Sequence, residues 1–278
     1  MELASTPAPP RLHRKSFFIW RRRLTPMRPA THLVLLIGIC LLALQANASI
    51  VITGTRVVYP ATERDITVNI RNTGKTPSLI KAWVDNGKGT PGAGSPGRSP
   101  FIVTPPVSRV DPDKGLLLRI ANIDRTLPQD RESVFWLNVL EVPSSSPDKA
   151  GAAASGNSAG KLQVAFRSQL KLFYRPAALK GAAADAAQQL KWRIAAEGGK
   201  RVLRAVNDLP YSVSLARLHL RSGARQYAND DLDMVPAKGS YGIPLPADAA
   251  AWARAGAKVR YTWINDFGGL IETDATVE

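Results

Sequence analysis

From residue 49 onward the chain reads as short apolar or alternating runs cut by turn residues. Asp65 to Arg71 alternates cleanly, with Ile66, Val68 and Ile70 on one side and Thr67, Asn69 and Arg71 on the other. That is the period of a half-buried strand. Ile50 to Tyr59, rich in β-branched and aromatic residues, predicts one strand before it. Leu79 to Val84, Phe101 to Thr104, Leu116 to Ile120 and Val134 to Val142 predict strands after it. Pro105-Pro106 ends ladder pairing after Thr104. With the long run Lys161 to Tyr174 this makes seven strands in about 126 residues, the rhythm of an immunoglobulin-like sandwich.

Pro176 to Gln189 is Ala-rich and reads as a connector with one helical turn. A second series follows: Leu190 to Ala195, Arg201 to Asn207, Tyr211 to Leu220, Leu232 to Val235, Tyr241 to Leu245, Val259 to Ile264 and Leu270 to Val277. Ala247 to Ala255, behind Pro246, predicts a helix. The expectation is an all-β chain of two immunoglobulin-like β-sandwich domains, 49–176 and 177–278. Asn86 to Pro100 and residues 144–160 are Gly-, Pro- or Ser-rich and read as loop and linker.

Composition changes the picture mainly at the front of the chain. Leu33 to Leu44 is uninterrupted apolar, Arg21, Arg22, Arg23 and Arg28 precede it, and Ala46-Asn47-Ala48 follows. Residues 1–48 therefore read as a cleaved secretory signal peptide, with Met27 the preferred true start. The apolar run is too short to span a membrane, which takes about 20 residues, so no stable membrane insertion is expected. Cys40 lies inside that run behind bulky Ile39, which argues against a lipoprotein site. Cleavage after Ala48 leaves an exported chain of 230 residues with net charge +9, no Cys and His219 as its one His. No disulfide framework and no Cys-based metal cluster can form, and neither a metal nor another cofactor is expected. Export and the lack of a recognition motif speak against nucleic acid.

Catalytic candidates are thin. A Ser-His-Asp arrangement would have to use His219, which sits in an alternating strand and reads as a surface residue. Asp230, Asp231 and Asp233 lack the glycine and distal Glu of a calcium loop and read as a solvated turn. No Gly-rich segment precedes a helix as a phosphate cradle would.

The long run is the most informative feature. Leu162, Val164, Phe166, Leu170, Leu172 and Tyr174 occupy the even positions, broken by Ser168, and the odd positions are mainly polar or basic. At about 3.3 Å per residue it would reach roughly 46 Å, beyond an ordinary strand. Either it lines its own domain's core throughout, or its first half projects outward to pair with another chain.

Four segments occur in an order that resembles the periplasmic pilus-assembly chaperones of the chaperone–usher pathway, the P pilus chaperone type. They are Thr104-Pro105-Pro106-Val107, the stretch Leu127 to Asn138 (LPQDRESVFWLN), Lys171-Leu172-Phe173-Tyr174-Arg175-Pro176, and Asn265-Asp266-Phe267-Gly268-Gly269 behind Ile264. The resemblance implies a boomerang arrangement of the two sandwiches. It also implies a periplasmic, non-enzymatic chaperone that lends a strand to fimbrial (pilin) subunits and delivers them to an outer-membrane usher. By motif, Leu162, Val164 and Phe166 would fill the subunit's groove. Arg56 and Lys171 would anchor its C-terminal carboxylate. Glu132, Arg175 and Asp266 would form an interdomain charge cluster. Lys171 is an odd position and the apolar set is even, so a bulge or strong twist between them is expected to reconcile the two roles.

After cleavage the chain departs from the resemblance in having no cysteine for the disulfides some members carry, and in its long linker. It fits a short-loop-like chaperone with an extended linker. Exposed apolar residues on the lending strand also predict self-capping homodimers. The rival readings are a secreted two-domain adhesin or carbohydrate-binding module using loops such as 86–100, and a secreted hydrolase using a carboxylate or His219.

Overall fold

The computed structural model describes residues 49–87, 99–124, 126–144 and 164–278. The predicted signal peptide 1–48, most of the 86–100 loop, nearly all of the 144–160 linker, and Leu162 lie outside the described residues.

The described chain is two β-sandwiches, as the strand rhythm predicts. In the first, strands β1 (Ile50–Ile52), β3 (Asp65–Asn72), β7 (Gly115–Asn122) and β5 (Phe101–Thr104) form one sheet in the order β1-β3-β7-β5. The facing sheet runs β2 (Arg56–Pro60), β9 (Phe166–Arg175), β8 (Ser133–Pro143), β4 (Ser78–Asp85) and β6 (Val107–Val110). Alternation decides which side chains meet between them: Val68, Ile70, Ile80, Ala82, Leu118, Ile120, Leu137, Val139, Leu170, Leu172 and Tyr174 are all buried. Each large side chain taken out of water there contributes about 1.5–3 kcal/mol.

The second sandwich packs β10 (Lys191–Glu197), β11 (Lys200–Asn207) and β15 (Gly239–Pro244) against a sheet of β13 (Arg225–Asn229), β12 (Val213–Ser222), β16 (Lys258–Ile264) and β17 (Leu270–Thr276). β14 (Met234–Val235) pairs with β12. Trp192 and Tyr261 sit at its centre, rings 5.1 Å apart. Two short helices, α1 (Ala183–Gln188) and α2 (Ala247–Trp252), fall in the segments predicted to hold helical turns.

Three differences from the predicted strands matter. The run Ile50 to Tyr59 is two strands: it breaks at Thr53–Thr55, where Gly54 takes φ +86°. A left-handed turn of that kind suits glycine, which has no Cβ to clash. The break sends β1 to pair with β3, while β2 pairs in parallel with β9 in the opposite sheet. Second, β6 follows Pro105-Pro106 directly, because the prolines move the chain from one sheet to the other. Third, β13 is too polar a run to stand out by alternation.

Candidate functional site

β9 is paired on one side from Phe166 to Tyr174, from Glu141↔Phe166 to Ser133↔Tyr174. On its other side β2 covers only Lys171 to Arg175. Because the chain leaves this sheet at Gly54, the edge of β9 from Phe166 to Leu170 has no neighbour among the described strands. An unpaired edge offers a row of free N–H and C=O groups.

The even face of β9 changes character along that edge. Leu170, Leu172 and Tyr174 are buried in the first sandwich, whereas Phe166 is 59% exposed, and Val164, just before the strand begins, is 46% exposed. The odd face is clamped. Arg167 donates to Asn138 Oδ1 from Nε and Nη2 (3.0 and 2.7 Å), and Gln169 Nε2 donates to the same oxygen at 2.8 Å. Asn138 in turn donates to Asp85 Oδ2 at 2.9 Å, and the Arg167 guanidinium lies 5.2 Å from the Trp83 ring centre. These contacts hold β9 extended while one edge and Phe166 stay open.

Of the bulge or strong twist expected, the bulge is not there. The β8–β9 register runs without a shift from end to end, so Lys171 and the apolar even positions do face opposite sides of the sheet. The strand uses both faces, and no irregularity is needed.

Arg56 and Lys171 are direct partners across the parallel β2–β9 ladder. Neighbouring strands lie about 4.8 Å apart, so the two cations stand side by side. Both reach the second sandwich. Arg56 Nη1 donates to the carbonyl of Ile264 at 2.9 Å, and Lys171 Nζ meets Asp233 Oδ1 at 3.4 Å. Arg56 Nε is buried without a hydrogen-bond partner among the described residues. Burial lowers the Lys171 pKa from its ordinary value; Asp233 pulls it back in part and Arg56 lowers it further. Burial lowers Arg56 as well, against the pull of Asp266. Two adjacent cations short of negative charge favour an incoming carboxylate. Arg56 also lines a cleft of about 450 Å³ with Phe173, Tyr211, Trp263 and Ile271.

Below that pair, Glu132, Arg175 and Asp266 meet. Arg175 donates from Nε to Glu132 Oε1 (2.8 Å), and from Nη1 and Nη2 to the two Asp266 oxygens (2.8 and 3.1 Å). Glu132 Oε2 accepts from the Ser212 amide at 2.9 Å, and the Glu132 amide donates to Pro210 O at 2.8 Å. The Glu132 side chain is almost wholly buried. Burial raises its carboxyl above the usual range, with Arg175 and the Ser212 amide pulling it back in part. Burial works against the Arg175 charge, but its bonds to Asp266 and Glu132 outweigh that and hold its pKa above the ordinary value. Gly268, at φ +85°, lies so close to Thr55 that an added Cβ would stand 2.5 Å from Thr55 Oγ1.

His219 is exposed on the outward face of β12. Among the described residues no group of three or more His, Cys, Asp or Glu could hold a metal ion, and no helix is long and apolar enough to cross a membrane. The sequence alone does not single out Asp233, whose acidic run reads as a solvated turn, or the backbone groups of Pro210, Ser212 and Ile264. None of these carries a pattern along the chain.

Fold and site together define a two-sandwich protein with one strand edge left open beside a basic cleft. A family model described as the pili and flagellar-assembly chaperone PapD N-terminal domain matches residues 49–180, and one for the pili assembly chaperone PapD C-terminal domain matches 185–275. The chain belongs to this family of pilus-assembly chaperones. The chaperone protein FimB/FhaD of Bordetella pertussis (strain Tohama I) is 39% identical over 266 residues, covering 93% of this chain and 98% of that one. The crystal structure of the Pseudomonas aeruginosa CupB2 chaperone matches at TM-score 0.63 and 37% identity, over 82% of this chain and all of that one. The SafB chaperone of Salmonella enterica, solved in complex with the SafA pilin, matches at TM-score 0.63 and 25% identity, over 84% and 98%.

Proposed function

We propose that this chain is a periplasmic chaperone that holds fimbrial subunits by lending them the open edge of β9, and passes them to an outer-membrane usher. A subunit sandwich missing one strand exposes an apolar groove and unpaired backbone groups. The 166–170 edge supplies the hydrogen bonds, and Phe166, Val164 and, by motif, Leu162 fill the groove at alternate positions. Arg56 and Lys171 take the subunit's terminal carboxylate and so set the register, since a slip of one residue would turn each apolar side chain away. Glu132, Arg175 and Asp266 hold the two sandwiches together around that anchor. The reading requires no catalytic step, nucleotide or metal.

The observation that carries it is the β9 edge, unpaired among the described residues, with uncovered Phe166, one short stretch from two cations held below their ordinary pKa values. The SafB–SafA complex, a chaperone of this family with a pilin, supports it. The test is co-purification from periplasm. The wild-type chain should bring down a small secreted sandwich protein at one to one, and Lys171→Ala should fold normally and bring down none. Undiminished capture by Lys171→Ala would refute the anchor.

A further inference from the structure

The two cations of the proposed anchor are already engaged with the second sandwich. Asp233 reaches Lys171 at 3.4 Å, although the two are 62 residues apart in sequence. Its backbone is set for this. The Asp233 carbonyl accepts from the Leu215 amide at 3.2 Å, next to the register shift of β12 between Leu215 and Arg217, and β14 begins immediately after it. The Asp233 side chain is 74% exposed, whereas that of Lys171 is only 24% exposed. Asp233 is therefore a carboxylate on a fixed backbone with its far side open to water, bound to a cation that is largely enclosed. At 3.4 Å the contact is long for a charge-assisted bond, which prefers about 2.7–2.9 Å.

We propose that Asp233 is a built-in stand-in for the client's terminal carboxylate, holding Lys171 in the empty chaperone and giving way when a client enters. This rests on the reading of Arg56 and Lys171 as the carboxylate anchor. Lys171 lies in a like-charged pair with Arg56, and Asp233 relieves that repulsion when no client is present. A client carboxylate placed between the two cations would bond both, with shorter bonds than Asp233 makes to one. It would also be repelled by Asp233 for as long as Asp233 stayed. The contact thus sets a threshold: ligands ending in a free carboxylate displace it, and internal strands or amidated ends gain nothing by doing so.

The probe is a dye-labelled heptapeptide of alternating Val and Thr ending in a free carboxylate, with the same peptide amidated as control, measured by fluorescence anisotropy at low salt. Wild type should prefer the acid form, and Lys171→Ala should lose that preference. Asp233→Asn should bind the acid form about two- to five-fold more tightly, the size of one exposed ion pair, and the amide unchanged. The exposed side chain of Asp233 makes loss of folding in that variant unexpected. If Asp233→Asn binds the acid form no better, or more weakly, while wild type keeps its preference, the inference is overturned and the anchor stands. If wild type shows no preference for the acid form, both are overturned.

Discussion

Removing Arg175 isolates a buried charge, and the size of the effect follows from where Glu132 sits. In the wild type its carboxylate accepts from Arg175 and from the Ser212 amide. Arg175→Ala leaves only the amide, with the carboxylate still enclosed between the sandwiches. An uncompensated buried charge costs about 3–5 kcal/mol. Protonation sets the ceiling, because Glu132 can take up a proton instead. From an ordinary Glu pKa of about 4.3, that costs about 3.7 kcal/mol at pH 7 and about 1 kcal/mol at pH 5. A carboxyl raised in the folded state destabilises fully above its folded pKa, and the penalty fades as pH falls toward the unfolded value. Part of that penalty is already carried by the wild type, whose Glu132 carboxyl stands above its usual range, so Arg175→Ala should lose about 2–4 kcal/mol at pH 7 and about 1–2 kcal/mol at pH 5, including the lost bonds to Asp266. Adding Glu132→Gln should restore most of the loss at pH 7. Urea unfolding followed by tryptophan fluorescence at both pH values reads this. A loss under about 1 kcal/mol at pH 7, an equal loss at both pH values, or no rescue by Glu132→Gln would refute the reasoning.

Three further outcomes are expected. Client binding raises the Lys171 pKa from its lowered free-state value, so affinity should be complete at neutral pH and fall as pH rises through the bound-state pKa. Titration calorimetry above pH 9 would show proton uptake on binding, and an affinity flat across that range would contradict it. Phe166→Asp should leave thermal unfolding within about 0.5 kcal/mol of wild type, as a surface change does, while cutting client recovery from periplasm at least tenfold. Gly268→Val should destabilise by about 1–3 kcal/mol through its left-handed backbone and the crowding of Thr55; an unchanged urea midpoint would show that the turn can shift.

The fold was legible because both sandwiches bury one face of nearly every strand, and alternation records that directly, most clearly at Ile66, Val68 and Ile70. What alternation could not show is where a run changes sheets. Ile50 to Tyr59 stays β-branched on both sides of Gly54, through Thr53 and Thr55, so a strand switch reads as one long strand, and that switch is what leaves β9 open. The expected bulge near Lys171 came from giving one face of the strand both tasks. In the structure the even face serves the core and then the open end, while the odd face serves the cleft. Asp233 was illegible in principle, since its meeting with Lys171, 62 residues away in sequence, depends on how the two sandwiches pack.

In the proposed function, residues 166–170 complete another protein's sheet. Amide hydrogen exchange on the chaperone alone and with its captured subunit tests it most directly. Slowed exchange at alternate amides from Phe166 to Leu170, those facing the open edge, is the predicted result. A stable one-to-one complex in which these amides exchange as fast as in the free chaperone would contradict the account.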